Sequence, residues 1–167
     1  MTDRFTLVSA VHLVLIRDGR VLLLRRFNTG YEDGNYSLPA GHLDGGETVP
    51  QAAVREAREE LLIDARTEDC RVVQVMHRRS TDERIDFFVT LERWTGAIEN
   101  GELDKCDELR WAELDRLPAN VVPYIRQALT NYRRGVWFDS FGWEARSEGR
   151  VCPPTAAGHA RDATGSE

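Results

Sequence analysis

The segment GHLDGGETVPQAAVREAREELLI, residues 41–63, carries the clearest structural pattern in the chain. Thr48 and Gln51 have the spacing of a capping box, and the residues between Gln51 and Leu62 include neither Gly nor Pro. This pattern predicts a helix that begins just after Thr48 and ends near Leu62.

On a helix that turns by about 100° per residue, this segment has two distinct sides. Val54, Ala57 and Leu61 form a narrow apolar stripe that would face the core. Ala52 and Ala53 fall below the other side and, being small, would leave open space in front of it.

Three glutamates share that other side. Glu56, Glu59 and Glu60 fall within a wedge of roughly 100°, because positions i, i+3 and i+4 are neighbours on a helix. Carboxylates so close together repel one another, and a divalent cation removes the repulsion. Oxygen ligands of this kind suit hard ions such as Mg²⁺ or Mn²⁺. Many Glu-rich helix faces are simply solvated, so the wedge alone leaves both interpretations open.

The loop before the helix is suited to approach a ligand closely. Gly41, Gly45 and Gly46 give it a backbone that can bend sharply. Glu47 stands at the junction of loop and helix, where it can pair with Arg55 and brace the loop against the helix.

Together these residues resemble the Nudix box, G-x5-E-x7-R-E-U-x-E-E-x-G-U, in which U is a bulky aliphatic residue in most members. Leu62 departs from the pattern, which has Gly at that position, and this difference concerns the end of the helix rather than the metal site. Residues 36–41, YSLPAG, are similar to the W-x-L-P-G-G lead-in of the family. The residues that match the box are Gly41, Glu47, Arg55, Glu56, Ala57, Glu59, Glu60 and Ile63.

The order of the predicted elements suggests one α/β domain with a mixed sheet between the box helix and a C-terminal helix. The resemblance, which covers roughly residues 8–134, implies the same Nudix-type α-β-α sandwich. We expect a Nudix hydrolase domain at residues 1–146 and a flexible tail at 147–167. Strands are expected at 5–16, 21–25, 72–78, 84–91 (the central one) and 109–111, and the C-terminal helix at 121–134.

The resemblance also implies roles for the matching residues. Glu56, Glu59 and Glu60 would hold Mg²⁺, for which Mn²⁺ can substitute, and a backbone carbonyl at Gly41 would be a further ligand. Glu56 and Glu59 are the expected catalytic carboxylates, and Arg55 and Glu47 would orient them. These last two residues would act through the carboxylates rather than on the substrate.

A second segment, residues 102–111 (ELDKCDELRW), is similar to a run found in nucleotide-cleaving members of the family. This similarity implies that Glu102 is an additional metal ligand or base and that Lys105 approaches a phosphate. A plain acidic loop is the alternative interpretation.

Three other residues are candidates for binding the substrate. Arg25 and Arg26 close the predicted second strand and would either face the phosphates or lie solvated at the end of the strand. His12 lies inside the first predicted strand, where it would either pack in the sheet or line a base pocket.

Two features of the later chain also call for an explanation. Asp86 lies in a mostly apolar strand, and because a buried carboxylate needs a partner, we expect a cross-strand pair with Arg78 or Arg84. The aromatic segment at residues 137–143, WFDSFGW, is expected to cover the core, with a dimer contact or stacking on a base as alternatives.

Composition limits the class of protein. The length of 167 residues and 41% hydrophobic content suit one domain with its own core. The net charge of −6 argues against a nucleic-acid partner. The three cysteines lack C-x-x-C spacing, and neither a signal peptide nor an apolar run of about 20 residues is visible. We therefore expect a cytoplasmic chain without a membrane partner, and leave open whether it is a homodimer.

The sequence thus predicts a Mg²⁺-dependent pyrophosphohydrolase that cleaves a nucleoside diphosphate linked to another group. A (deoxy)nucleoside triphosphate, oxidised or not, is the expected substrate, which would give the monophosphate and pyrophosphate. A hydrolase of ADP-ribose, NADH or a sugar nucleotide is the alternative enzyme. A catalytically silent Nudix domain that binds a nucleotide or a protein is the alternative from another class.

Overall fold

A computed structural model describes residues 4–143 of the chain, and the predicted tail at 147–167 lies outside this range. Within residues 4–143 there is no helix long and apolar enough to cross a membrane. A short 3₁₀ helix follows the first α-helix at Thr67–Asp69. The other elements are β1 Val8–Val14, β2 Ile16–Arg17, β3 Arg20–Arg26, β4 Tyr36–Ser37, β5 Ala40–His42, α1 Val49–Leu61, β6 Asp64–Ala65, β7 Cys70–Arg79, β8 Glu83–Leu91, β9 Trp94–Thr95, β10 Cys106–Glu113, α2 Pro123–Arg134 and β11 Phe138–Phe141.

A mixed five-stranded sheet is the platform of the domain, in the order β11-β7-β8-β1-β5. Strand β1 runs parallel to β8, and β11 runs parallel to β7, whereas the β7–β8 and β1–β5 pairs are antiparallel. Strand β8 is central, as its apolar sequence predicts. A second sheet, β10-β3-β2 with β4 beside β3, and the β6–β9 ribbon complete the structure; the sequence pattern did not separate them from the main sheet.

The two helices cover opposite faces of this sheet. Alternation along the strands sends Val11 and Leu13 into the core beneath α1, and sends Val14 into the core beneath α2. The same alternation divides the neighbouring pair Phe88 and Val89 between the two cores. The predicted α/β sandwich, with a mixed sheet between helices, is confirmed.

Helix α1 begins with the predicted capping box. The Thr48 hydroxyl accepts a hydrogen bond from the backbone N–H of Gln51, and the Gln51 side chain accepts one from the backbone N–H of Thr48 at 2.8 Å. These two bonds satisfy donors that the first turn of a helix otherwise leaves unpaired.

The apolar face of α1 differs from the predicted stripe. Ala52, Ala53 and Ala57 are fully buried against the sheet with Leu61, whereas Val54 is only partly buried. The expectation that Ala52 and Ala53 leave open space was wrong. Their small side chains instead allow the helix to pack closely on the strands, and Glu60 on its acidic side reaches the edge strand β5.

Leu62 ends helix α1 in the left-handed conformation, with φ 54° and ψ 30°. This is the position at which the Nudix pattern has Gly, and a side chain with Cβ pays about 1–2 kcal/mol for this backbone conformation. The Leu62 side chain is 52% exposed, so its burial offsets little of this unfavourable free energy.

We predict that Leu62→Gly stabilises the protein by up to about 1 kcal/mol, because Gly adopts this conformation without strain. Urea unfolding measures the difference. Arg58→Gly is the matched control, since Arg58 lies inside the same helix, where Gly costs about 1 kcal/mol. Equal destabilisation by both substitutions would contradict the prediction.

Candidate active site

A cavity of about 650 Å³ lies on the α2 side of the five-stranded sheet. Its walls come from β1, β3, β5, β7 and β8, the acidic side of α1 and the loop before β10. Most of the residues that the sequence singled out line this cavity. They are His12, Arg26, Gly41, Glu56, Glu59, Glu60, Glu102 and Lys105.

Arg55 and Glu47 lie behind the carboxylates rather than in the cavity wall. Arg55 donates to both carboxylate oxygens of Glu47, at 3.1 and 2.8 Å, and to the backbone carbonyl of His42 at 2.9 Å. Glu47 also accepts from the backbone N–H of Asp44 at 2.7 Å. The brace between loop and helix that the sequence predicts is therefore present.

The same guanidinium fixes two of the three helix carboxylates. Arg55 Nη1 lies 2.5 Å from Glu56 Oε1 and 3.3 Å from Glu59 Oε2. Burial raises the pKa of Glu56, and the contact with Arg55 opposes this effect. Glu56 is only 6% exposed, and Arg55 favours the ionised form of its carboxylate despite this burial.

Glu60 has a different environment. Burial and the nearby charges of Glu56 and Glu102 raise the pKa of Glu60 to about 8, although its carboxylate accepts a hydrogen bond from the backbone N–H of Ala40 at 2.9 Å. Glu102 in turn pairs with Lys105 at 2.7 Å. The four carboxylates are therefore close enough to affect one another's charge.

The carboxylates of the cavity provide the type of ligand that a hard divalent cation prefers. Glu56, Glu59, Glu60 and Glu102 offer oxygen ligands. Burial is the main cause of the raised pKa of Glu60, and a cation would remove the further contribution from the charges of Glu56 and Glu102. As positioned, no three His, Cys, Asp or Glu side chains within residues 4–143 converge on one point as metal ligands do. Each of the four carboxylates instead contacts Arg55, Lys105 or a backbone amide, so ion binding requires side-chain rotation.

Gly41 leaves room for the Glu56 carboxylate. A Cβ atom at Gly41 would overlap the Glu56 carboxylate, because that carboxylate lies directly against the Gly41 backbone. Gly41 therefore has a steric role that its place in the motif did not show.

The cavity wall also contains cationic and aromatic residues that sequence reasoning missed as site residues. Arg78, Tyr124 and Tyr31 lie on the side away from the carboxylates, whereas Arg84 reaches β5, with Nη1 at 3.1 Å from His42 Nε2. Arg78 and Arg84 were considered only as partners of Asp86, and Arg78 is that partner, at 2.5 Å. Their adjacency across the β7–β8 pair follows from strand register, which composition does not reveal.

His12 lies between these two sides. Its imidazole lines the cavity, stacks on Phe88 and has Nε2 at 3.3 Å from Asp86 Oδ1. Both predicted environments, packing in the sheet and lining the pocket, therefore apply to His12.

Arg25 lies outside the cavity, in contrast to the expected role in binding the substrate. Its guanidinium pairs with Asp107 at 2.8 Å and with Glu108 at 3.2 Å. Successive side chains of a strand point to opposite faces, so Arg26 lines the cavity and Arg25 cannot. The expectation that Arg25 faces the phosphates was wrong.

The aromatic segment at residues 137–143 is divided in its contacts. Phe141 packs against the core beneath α2, whereas Trp137 is 70% exposed. Trp143 packs on His77 and donates to the His77 backbone carbonyl at 3.0 Å. None of these aromatic residues lines the cavity.

Residues 6–132 match the family model described as the NUDIX domain. The chain belongs to the Nudix family. It is a hydrolase that acts on acid anhydrides. Nudix hydrolases generally use a divalent metal and act on small nucleotide substrates.

Individual proteins similar to this Nudix hydrolase agree with the assignment. A Bacillus subtilis protein with the provisional name 8-oxo-dGTP diphosphatase is 28% identical over 127 residues, which are 76% of this chain and 80% of that protein. An ADP-ribose pyrophosphatase of Methanocaldococcus jannaschii is 41% identical over 51 residues, 30% of each chain. The crystal structure of a MutT NUDIX hydrolase from Burkholderia pseudomallei aligns with a TM-score of 0.69 at 27% identity, covering 75% of this chain and 98% of that one.

We predict that Gly41→Ala lowers the affinity for Mn²⁺ at least about tenfold, because the new Cβ displaces the Glu56 carboxylate. Titration calorimetry measures this affinity. Gly45→Ala is the matched control, since a Cβ at Gly45 meets no atom within 4 Å. Unchanged Mn²⁺ affinity in the Gly41 variant would contradict the prediction.

A second prediction concerns pH. A carboxylate must lose its proton to bind a metal, and the pKa of Glu60 is raised to about 8. Metal affinity should therefore rise between pH 6 and pH 8 and level off above pH 8. The number of protons released on Mn²⁺ binding, measured by calorimetry in buffers of different ionisation enthalpy, tests this. Glu60→Gln should reduce that release, and Glu68→Gln should leave it unchanged.

Proposed function

We propose that this Nudix hydrolase is a Mg²⁺-dependent pyrophosphohydrolase of (deoxy)nucleoside triphosphates, which it cleaves to the monophosphate and pyrophosphate. The observation that carries the proposal is the division of one cavity into two sides. Glu56, Glu59, Glu60 and Glu102 occupy one side, and Arg78, Tyr31 and Tyr124 occupy the other.

The width of the sheet matches this division. The carboxylates meet the cavity beside β5, where Glu60 binds the Ala40 amide, whereas Arg78 projects from β7. Three strand spacings separate β5 from β7, which is about 14 Å. An extended nucleotide can span this distance, with its phosphates beside the carboxylates and its base beside Arg78.

The residues beside β5 suit attack by water on a phosphate. When bound, a divalent ion neutralises phosphate charge and lowers the pKa of water. Glu56 or Glu59 accepts the proton that the attacking water loses. Arg55 donates to both carboxylates. Lys105 lines the same cavity, where it can leave Glu102 and donate to a phosphate oxygen instead.

The relatives support two substrates. The Bacillus subtilis relative, whose provisional name refers to 8-oxo-dGTP, aligns over most of both chains and favours a triphosphate, oxidised or not. The Methanocaldococcus jannaschii relative favours ADP-ribose as the second candidate, over a much shorter match.

We expect that, with Mg²⁺, the protein hydrolyses at least one nucleoside triphosphate faster than ADP-ribose or NADH. Release of pyrophosphate or monophosphate from a panel of common and oxidised dNTPs, ADP-ribose, NADH and a sugar nucleotide measures this. Activity confined to ADP-ribose would replace the first candidate with the second. No activity with any substrate, with either Mg²⁺ or Mn²⁺, would overturn the proposed function.

Glu59→Gln tests the assignment of the carboxylates. It should lower kcat at least about a hundredfold, the lower end of what a general base contributes, while the fold is retained. Glu68→Gln, an exposed glutamate outside the cavity, is the control and should retain full activity. Equal kcat values for the two variants would remove Glu59 from the mechanism.

A further inference from the structure

A buried ion pair lies on the side of the cavity away from the carboxylates. Arg78 is 6% exposed and Asp86 is fully buried. Arg78 donates from Nε to Asp86 at 2.5 Å and from Nη2 at 3.4 Å, while His12 lies 3.3 Å from the same carboxylate. The guanidinium also lies over the ring of Tyr124, at 4.2 Å from its centroid.

This arrangement fixes the charge and the orientation of Arg78. Burial opposes ionisation of Asp86, but its contacts with His12 and Arg78 outweigh that effect and lower its pKa to about 2. Asp86 therefore stays charged at neutral pH and keeps its hold on Arg78. A charge pair this deep costs free energy to desolvate, and hydrophobic residues could replace it if stability were its purpose.

Arg78 retains donors that these partners do not use. A guanidinium has five N–H groups. Asp86 takes two of them and the Ser80 hydroxyl takes a third, at 3.5 Å. Within residues 4–143, these contacts leave one N–H on each of Nη1 and Nη2 without a partner, and the two nitrogens are neighbours on the guanidinium of a residue that lines the cavity.

Among the described residues, the other two arginines of the cavity wall, Arg26 and Arg84, are held by groups nearer the surface rather than by a buried carboxylate. Arg26 donates to the Tyr31 carbonyl at 2.7 Å and to the Thr29 hydroxyl at 3.0 Å. Arg84 is paired with Asp82 at 2.9 Å. Arg78 is the arginine whose position is fixed by a buried partner and whose remaining donors face the cavity.

We propose that Arg78 determines base specificity by donating two hydrogen bonds to adjacent acceptors on the nucleobase. Guanine presents such a pair at O6 and N7, and cytosine presents one at N3 and O2. Adenine and thymine offer no two adjacent acceptors, and would leave one N–H of Arg78 buried and unpaired. Base specificity of this kind rests on the proposed function, since it assumes that a nucleotide occupies the cavity.

The proposal also distinguishes guanine from its oxidised form. In 8-oxoguanine N7 carries a hydrogen, so the O6 and N7 edge no longer offers two adjacent acceptors. Arg78 therefore favours guanine or cytosine nucleotides over adenine, thymine and 8-oxoguanine nucleotides. Guanine and cytosine both present two adjacent acceptors, and binding measurements with each nucleotide distinguish between them.

Equilibrium binding of dGMP, dCMP, dAMP, dTMP and 8-oxo-dGMP to the metal-free protein, measured by calorimetry, tests the proposal without depending on hydrolysis. Either dGMP or dCMP should bind at least about tenfold more tightly than dAMP and dTMP, the lower range for one bidentate contact. 8-Oxo-dGMP should not bind better than dAMP. Hydrolysis without base preference would overturn the role of Arg78 alone, whereas base preference without hydrolysis would overturn only the proposed function.

Arg78→Lys keeps the charge but loses the paired donors, so the five affinities should fall within about threefold of one another. Arg79→Lys, on the adjacent residue outside the cavity, should keep the wild-type preference. If Arg78→Lys does not fold, Arg78→Gln with Asp86→Asn removes both buried charges together. A preference retained without Arg78, equal weakening of all five ligands, or binding of none of them by the wild type would overturn the proposal.

Discussion

The candidate site depends on one guanidinium, that of Arg55, placed among carboxylates. It contacts Glu47, Glu56, Glu59 and the backbone carbonyl of His42, so it joins the loop before α1, the strand β5 and the acidic side of the helix. Without this cation, glutamates one turn apart would repel one another and the loop would lose its connection to the helix. Arg55 thus offsets the repulsion among Glu47, Glu56 and Glu59 before any ion binds, whereas Glu60 remains close to the charges of Glu56 and Glu102.

The fold was largely predictable because its signals are local. The capping box needs only Thr48 and Gln51, which are three positions apart, and the apolar run around Phe88 is long enough to indicate a central strand. The details that failed depend on distant parts of the chain. Whether Ala52 or Val54 faces the core is decided by how closely α1 approaches the sheet, and the division into two sheets is decided by strand pairing.

The same distinction applies to the site. The carboxylates of α1 follow from helical spacing, so sequence was sufficient to group them. The opposite wall comes from separate strands and loops, and the partnership of Arg78 with Asp86 places a guanidinium in the cavity only because β7 and β8 pair in one particular register. Arg25 and Arg26 show the limit most clearly, since a shift of one residue decides which of them lines the cavity.

We propose that this Nudix hydrolase opens the linkage between the α- and β-phosphates of a nucleoside triphosphate. Phosphorus-31 NMR of the reaction with dGTP and Mg²⁺ tests it most directly, because each product has its own resonance. We expect equal amounts of dGMP and pyrophosphate from the first turnover. Appearance of dGDP and orthophosphate would contradict it, since cleavage would then occur at the terminal phosphate.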